Sequence, residues 1–407
     1  MPPSVRSQFP ALSRCHLGRP VAYFDGPGGT QVPTPVGEAM SDYLYHHNAN
    51  THWRYPTSIE TDEMIVESRA AFADLFRARS LEEIVFGLNM TTLTLHVSRS
   101  LARRWSPGDE VVVTDLDHHA NVAPWRALTK DRGVVVKVVR FDSQTGELDL
   151  DDLERSIGPR TKLVAVGAAS NALGTINPVA QIVEMTHARG ALAYIDAVHY
   201  SAHELIDVQE WKCDFLVSSA YKLYGPHIGV LYGHRDLLAD LDVPKLDGAP
   251  SSPPERIESG TQNHEGIAGA GAAVEFIADI APPAYDHAPR RARLGQAFEL
   301  LHREGEALLL RLWDGLSGLP SVRLYGPRPG RPRTPTLSFT VRDLPADDVA
   351  RRLADRAIFV SSGDFYATSV VQCLGLADRG LVRAGSACYT TADEIDRLID
   401  AVAGIGS

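Results

Sequence analysis

Between about Leu81 and Gly233 the chain carries a succession of short Val/Ile-rich runs: EIVFG, EVVVTD, VVVKVVR, KLVAVGAAS, ALAYID, DFLVSS and IGVLYG. Several are separated by amphipathic stretches such as Val179 to Arg189. Strands alternating with helices predict an α/β fold, a largely parallel sheet wrapped by helices. The runs are continuously apolar rather than alternating, so both faces of the sheet must be covered. A sheet of this kind puts its working side chains at the C-terminal ends of its strands.

The remaining bulk properties narrow the partner. With 407 residues, 44% hydrophobic and 22% charged, the chain is long enough for a large domain and a smaller one. A net charge of -11 leaves no basic excess for nucleic acid, and no polybasic stretch suggests a membrane surface. The first residues, MPPSVRSQFPALSRC, lack the apolar core of a signal peptide, and there is no run of ~18 apolar residues. Cys15, Cys213, Cys373 and Cys388 are scattered without metal-ligand spacing and are too few for a disulfide framework. The expectation is a cytoplasmic protein that acts on a small molecule and holds no metal.

Two segments punctuate the second half. Asp247 to Arg256 (DGAPSSPPER) reads as an exposed loop, and Ala281 to Pro289 (APPAYDHAP) as an interdomain joint. Beyond it come a long helical stretch, the loop GPRPGRPRTP, a strand TLSFTV and a terminal helix ADEIDRLIDAVAGI, which suggest a small α/β domain. The division is therefore 1–30 as an N-terminal segment packing with the small domain, 31–289 as the large domain and 290–407 as the small one.

The strand ALAYID ends at Asp196, and past the next strand comes Lys222 in SSAYKLYGPHIG. Either residue alone has an ordinary reading, a cap for the aspartate and solvated surface for the lysine. Together, at neighbouring strand ends, they supply what a pyridine aldehyde cofactor needs. The carboxylate keeps the ring nitrogen protonated, and the amine forms an imine.

From YFDGPGGTQVP at 23–33 to VRAGSACYTT at 382–391, and most specifically in SSAYKLYGPHIGVLYG, the sequence resembles the class V aminotransferase and cysteine desulfurase family. The resemblance implies fold-type I, the aspartate-aminotransferase-like architecture, with a mostly parallel seven-stranded sheet in a large domain and a small α/β C-terminal domain. It implies pyridoxal 5'-phosphate (PLP) as cofactor, bound as a Schiff base to Lys222, which also shuttles protons. His118 in LDHHANVAPW takes the place of the ring-stacking histidine. Asn171 in SNALGTINP matches the residue near the cofactor phenolate, and His199 replaces the usual glutamine there. The turn GLNMTTLT presents Met90, Thr91 and Thr92 to the phosphate at a helix N-terminus, a motif that an N-cap threonine would explain equally well. Ser219 and Tyr221 add phosphate contacts. Thr261 in ESGTQN reaches the phosphate of a neighbouring subunit, which implies a homodimer with shared active sites. Arg383 grips the substrate α-carboxylate, for which a bidentate fork suits better than lysine, its alternative being an interdomain salt bridge. His46, His47, Asn48, Asn50, His52 and Arg54, in HHNANTHWR, line a substrate entrance or form a solvated loop.

The pattern breaks where desulfurases carry a mobile-loop cysteine inside Arg-x-Gly-x-x-Cys-Ala. This chain has Ser361-Ser-Gly-Asp-Phe-Tyr366-Ala. A phenol of pKa ~10 cannot become a persulfide, so direct sulfur transfer to Tyr366 is excluded and ordinary cysteine desulfuration is not expected. Cys373 and Cys388 read as small buried hydrophobes. The resemblance is thus to a subgroup lacking the loop thiol. The expected activity is a C–S β-lyase on cysteine or a cysteine S-conjugate, with Tyr366 lining the β-substituent pocket. Transamination, epimerisation, decarboxylation-coupled oxidative deamination of an S-conjugate, and a PLP-binding scaffold without activity are the alternatives.

Overall fold

The computed structural model describes Met1 and residues 3–406. All seven apolar runs form one sheet: β1 Ile84–Gly87, β2 Glu110–Thr114, β3 Val135–Val139, β4 Thr161–Gly167, β5 Leu192–Asp196, β6 Phe215–Ser219 and β7 Gly229–Gly233. Their spatial order is β1-β7-β6-β5-β4-β2-β3, and only β7 runs antiparallel to its neighbours. β6 and β7 are buried throughout and only the edge strand β3 is largely half-exposed, as continuous apolar runs require. Alternate residues feed two separate cores. Val112, Val164, Ile195 and Leu216 face one side, and Val111, Ala165, Tyr194 and Phe215 the other.

Helices cover both faces. After α1 (Thr34–Asp42), α2 (Pro56–Phe76) lays Phe72 and Phe76 on the first core, and α3 (Met90–Ala102) and α4 (Ala123–Arg132) bury Leu93, Val97, Trp125 and Leu128 in the second. α5 (Val179–His187) and α6 (His264–Ala278) return to the first. The stretch 247–256 forms no helix or strand and is mostly exposed.

The 28-residue helix α7 (Arg290–Ser317) belongs to both cores. Leu294, Ala297, Phe298 and Leu301 pack in the first core of the large sheet, whereas Leu309, Leu312 and Leu316 pack in a third core built on the small domain's antiparallel sheet. That sheet comprises β8 (Val322–Tyr325), β9 (Thr336–Val341), β10 (Ser361–Gly363) and β11 (Leu381–Gly385), in the order β8-β9-β11-β10. It is backed by α8 (Ala346–Ala354) and α9 (Ala392–Gly406). The cores change hands inside α7, because one continuous amphipathic helix can serve two sheets in succession.

The N-terminal segment is likewise divided. Phe9 makes edge-on contacts with Tyr224, Phe276 and Tyr389 at 5.9, 5.4 and 4.9 Å, on the large core. Ala22 and Phe24 enter the small-domain core, and Ala22–Tyr23 pairs in parallel with Ile358–Phe359. Besides this contact with the core of the four-stranded sheet, the segment therefore also touches the core of the large sheet. Among the described residues no helix is long and apolar enough to cross a membrane.

Candidate active site

The C-terminal ends of β2, β4, β5 and β6 surround a cleft lined by Asn89, Met90, Thr91, Asp117, His118, Asn171, Asp196, His199, Ser219, Tyr221 and Lys222. Register explains the convergence: Gly167 pairs with Asp196 across β4 and β5, and Ser219 and Gly87 both pair with Gly229 of β7.

Gly229 permits the closest approach in the site. A methyl there would meet the backbone of Asn89, whose Cα would lie 2.7 Å away, so the turn that begins α3 can sit on β7 only because the strand has no side chain at this point. Gly229→Ala is expected to lower the unfolding free energy by about 1–3 kcal/mol, the range for an over-packed buried position, read as a lowered denaturant midpoint. An unchanged midpoint would show that the turn yields.

That turn is capped by Asn89, not by a threonine. Asn89 Oδ1 accepts from Thr92 N–H at 2.9 Å, and Asn89 N–H donates back to Thr92 Oγ1 at 3.3 Å. Thr92 is thereby spent on the capping box and stands outside the cleft lining, unlike the expectation, while Met90 and Thr91 line it. The Met90 N–H donates to Ser219 Oγ at 3.1 Å, joining the helix N-terminus to the end of β6.

Lys222 lies on a 3₁₀ turn directly after β6 and is 5% exposed. Burial lowers its amine to about 7, with the Arg383 charge adding to the shift and Asp196 opposing it. Asp196, at the end of β5, is 7% exposed and moves the opposite way, raised by burial and held back by the Val198 N–H at 2.9 Å and by Lys222. Tyr221 stacks on His227 at 5.2 Å and 15°.

His118 caps a short 3₁₀ turn: its Nδ1 accepts from the Ala120 N–H at 3.0 Å. Burial, then Lys222 and Arg383, lower its imidazole to about 3, so it is neutral at physiological pH. His199 Nε2 lies 3.0 Å from Thr334 Oγ1 and 3.1 Å from Thr336 Oγ1, linking cleft to small domain, and burial holds it well below the usual imidazole value.

Arg383, on β11, is 3% exposed and donates from Nη1 to the Asn171 carbonyl at 2.8 Å and from Nη2 to Ser361 Oγ at 3.4 Å. Its Nε has no hydrogen-bond partner, and Phe365 covers its face with the ring centroid 4.1 Å from Cζ. It is not an interdomain salt bridge: its protein contacts are a carbonyl, a hydroxyl and a ring. Burial lowers the guanidinium to about 9. Asn171 Nδ2 donates to the Phe365 carbonyl at 3.0 Å, while its buried Oδ1 is unpartnered.

Tyr366 is 71% exposed at the cleft mouth, its ring 5.6 Å from that of His118. Among the described residues no cysteine lines the cleft. Cys388 is buried, whereas Cys373 is exposed at the end of a short helix, contrary to the reading of it as a buried hydrophobe. Thr261 lies elsewhere, in a surface groove with Asn50, His52 and Trp53. His47 pairs with Glu60 at 2.6 Å on α2, and His46, Asn48 and Arg54 also stay out of the cleft of their own chain.

Sequence reasoning missed Asp117. Its Oδ2 accepts from Thr114 Oγ1 at 2.7 Å and its Oδ1 from the Gly167 N–H, so it ties β2 to β4 beneath the His118 loop. Burial raises it to about 7, with the neighbouring Asp196 charge contributing. Its position just before His118, in LDHHAN, was the only available signal.

A helix-wrapped, mostly parallel sheet with a buried lysine and aspartate at adjacent strand ends has the architecture of a fold-type I, PLP-dependent enzyme. The family model described as aminotransferase class-V matches residues 22–398, and the chain belongs to that family. It is 34% identical to a cysteine desulfurase of Dickeya dadantii (strain 3937), over 97% of this chain and 94% of that protein. Among solved structures it is similar to the apo cysteine desulfurase from Thermococcus onnurineus NA1, with a TM-score of 0.90, 30% identity and coverage of 100% and 98% of the two chains. It is also similar to an Escherichia coli cysteine desulfurase in S-sulfonic acid form, with a TM-score of 0.85, 27% identity and coverage of 99% and 97%.

Proposed function

We propose that the protein is a C–S β-lyase acting on cysteine or a cysteine S-conjugate, in a branch of the family that lacks the loop thiol. The observation that carries this reading is Tyr366 at the cleft mouth in a cleft without any cysteine: the site has no sulfur acceptor, yet keeps a buried lysine, aspartate and arginine.

The donor set fits PLP. Lys222 offers a buried amine to an aldehyde, and Asp196 a buried carboxylate to the ring nitrogen. The Met90 and Thr91 end of α3 with Ser219 and Tyr221 suits the phosphate, and His118, Asn171 and His199 the ring face and phenolate. Bound there, PLP would act as the electron sink for charge developing at the substrate Cα.

The chain's own residues then divide the work. Arg383 binds the α-carboxylate with the edge that Phe365 leaves free. The lowered amine of Lys222 takes the Cα proton as a base near neutral pH. Loss of that proton breaks the Cβ–S bond, the sulfur leaves as a thiol, and water releases pyruvate and ammonia. No oxidant is consumed.

The homodimer with shared active sites that the family resemblance implies would bring Thr261, in a groove with Asn50, His52 and Trp53, to the partner's phosphate site. An acidic chain with four unpaired cysteines suits a reducing cytoplasm.

The test is product analysis on holoenzyme given S-alkyl cysteines. Equimolar thiol and pyruvate are expected. A keto acid that retains its sulfur would establish transamination instead, a racemised substrate epimerisation, released carbon dioxide decarboxylation, and the absence of any turnover a scaffold.

A further inference from the structure

The segment that carries Tyr366 is built as a fixed wall. Phe365 and Tyr366 both have left-handed backbones, φ 56° and 55°, a conformation two successive non-glycine residues rarely share. Both carbonyls of this pair are held from the large domain: Asn171 Nδ2 donates to Phe365 O at 3.0 Å, and the His119 N–H donates to Tyr366 O at 2.6 Å. Asp364 locks the turn from within, accepting from the Tyr366 N–H at 3.1 Å and from Thr368 Oγ1 at 2.7 Å. The consequence is directional. Phe365 is turned inward onto Arg383, and Tyr366 onto His118 with most of its ring in solvent.

Resting on the lyase reading for the bond broken, though not for binding, we propose that Gly363–Ala367 selects amino acids with a large apolar, planar β-substituent, which packs on Tyr366. Phe365 acts as a positioning residue: its ring covers the Arg383 face, so a carboxylate must approach the edge, where Nε is unpartnered. On this proposal a side chain as short as that of cysteine stops short of the exposed Tyr366 ring. A substituent long enough to leave the cleft meets that ring, and an aromatic one gains stacking in addition to burial.

The experiment is calorimetric titration of holoenzyme with two acids that lack the amino group, 3-(benzylthio)propanoate and 3-(methylthio)propanoate, alongside turnover of S-benzyl- and S-methyl-cysteine. The benzyl acid is expected to bind at least about fivefold more tightly. Tyr366→Ala should weaken it by about five- to tenfold and the methyl acid by less than about twofold, with Tyr366→Phe restoring the preference. Phe365→Leu should weaken both acids by the same factor, because it acts through Arg383. Equal affinities in the wild type, or equal losses in Tyr366→Ala, would overturn the proposal. If the binding pattern holds but neither amino acid yields pyruvate, the wall stands and the lyase reading falls. Pyruvate from both without a Tyr366-dependent preference gives the reverse.

Discussion

Lys222→Ala protein mixed with PLP is expected to show no covalently attached cofactor by mass spectrometry after borohydride reduction and no turnover of any amino acid. The reason lies in the free amine. An ordinary lysine near pKa 10.4 is neutral in only about one molecule in a few thousand at pH 7. Burial lowers the Lys222 amine to about 7, so a far larger share of it is free base there. Only the free base attacks an aldehyde. The rate of PLP capture by wild-type apoprotein should therefore rise with pH up to about 7 and then level off. A rate that kept climbing to pH 10 would mean that burial does not govern this lysine. Retention of covalent cofactor in Lys222→Ala would move the attachment point elsewhere.

Arg383→Ala should raise the KM for amino acids by about 30-fold to several thousand-fold, the equivalent of about 2–5 kcal/mol for removing one partner of a buried charge pair. Among the described residues the guanidinium forms no salt bridge, its hydrogen bonds go to a carbonyl and a hydroxyl, and Phe365 lies over its Cζ, so its remaining N–H groups are available to a carboxylate. Arg383→Lys should recover little, since an ammonium lacks the fork and cannot stack on Phe365 in the same way. Steady-state kinetics with an amino acid and its α-amide separate this role from a structural one. The amide should be a poor substrate for the wild type and lose little more in Arg383→Ala. A similar loss for both would make Arg383 a scaffold element.

The fold was legible because its main signal is local. Seven continuous apolar runs specify strands buried on both faces, and the amphipathic stretches between them specify helices, whatever else the chain does. Sequence also singled out Lys222 and Asp196, since strand ends in such a sheet converge on one cleft. It could not see Asp117, whose significance depends on the backbone of Gly167, 50 residues away. Nor could it tell that Thr92 serves Asn89 and leaves the cleft to Met90 and Thr91.

Domain organisation was only partly local. The composition of 281–289 marks a turn before a helix, but which core each turn of α7 joins depends on two sheets that meet it from different parts of the chain. Phe9 and Phe24 are divided between cores for the same reason.

The sequence by itself determined a two-face-buried α/β sheet, a lysine and an aspartate at adjacent strand ends, and a segment Ser361–Ala367 that carries Tyr366 and no cysteine, because each is written in residue type and short-range spacing. Tertiary structure alone decided that this loop is pinned by Asn171 and His119, that Phe365 lies over Arg383, and that Lys222 is buried deeply enough to lower its amine well below the usual lysine value. Those properties arise from desolvation and contacts between residues far apart in the chain, and no local pattern encodes them.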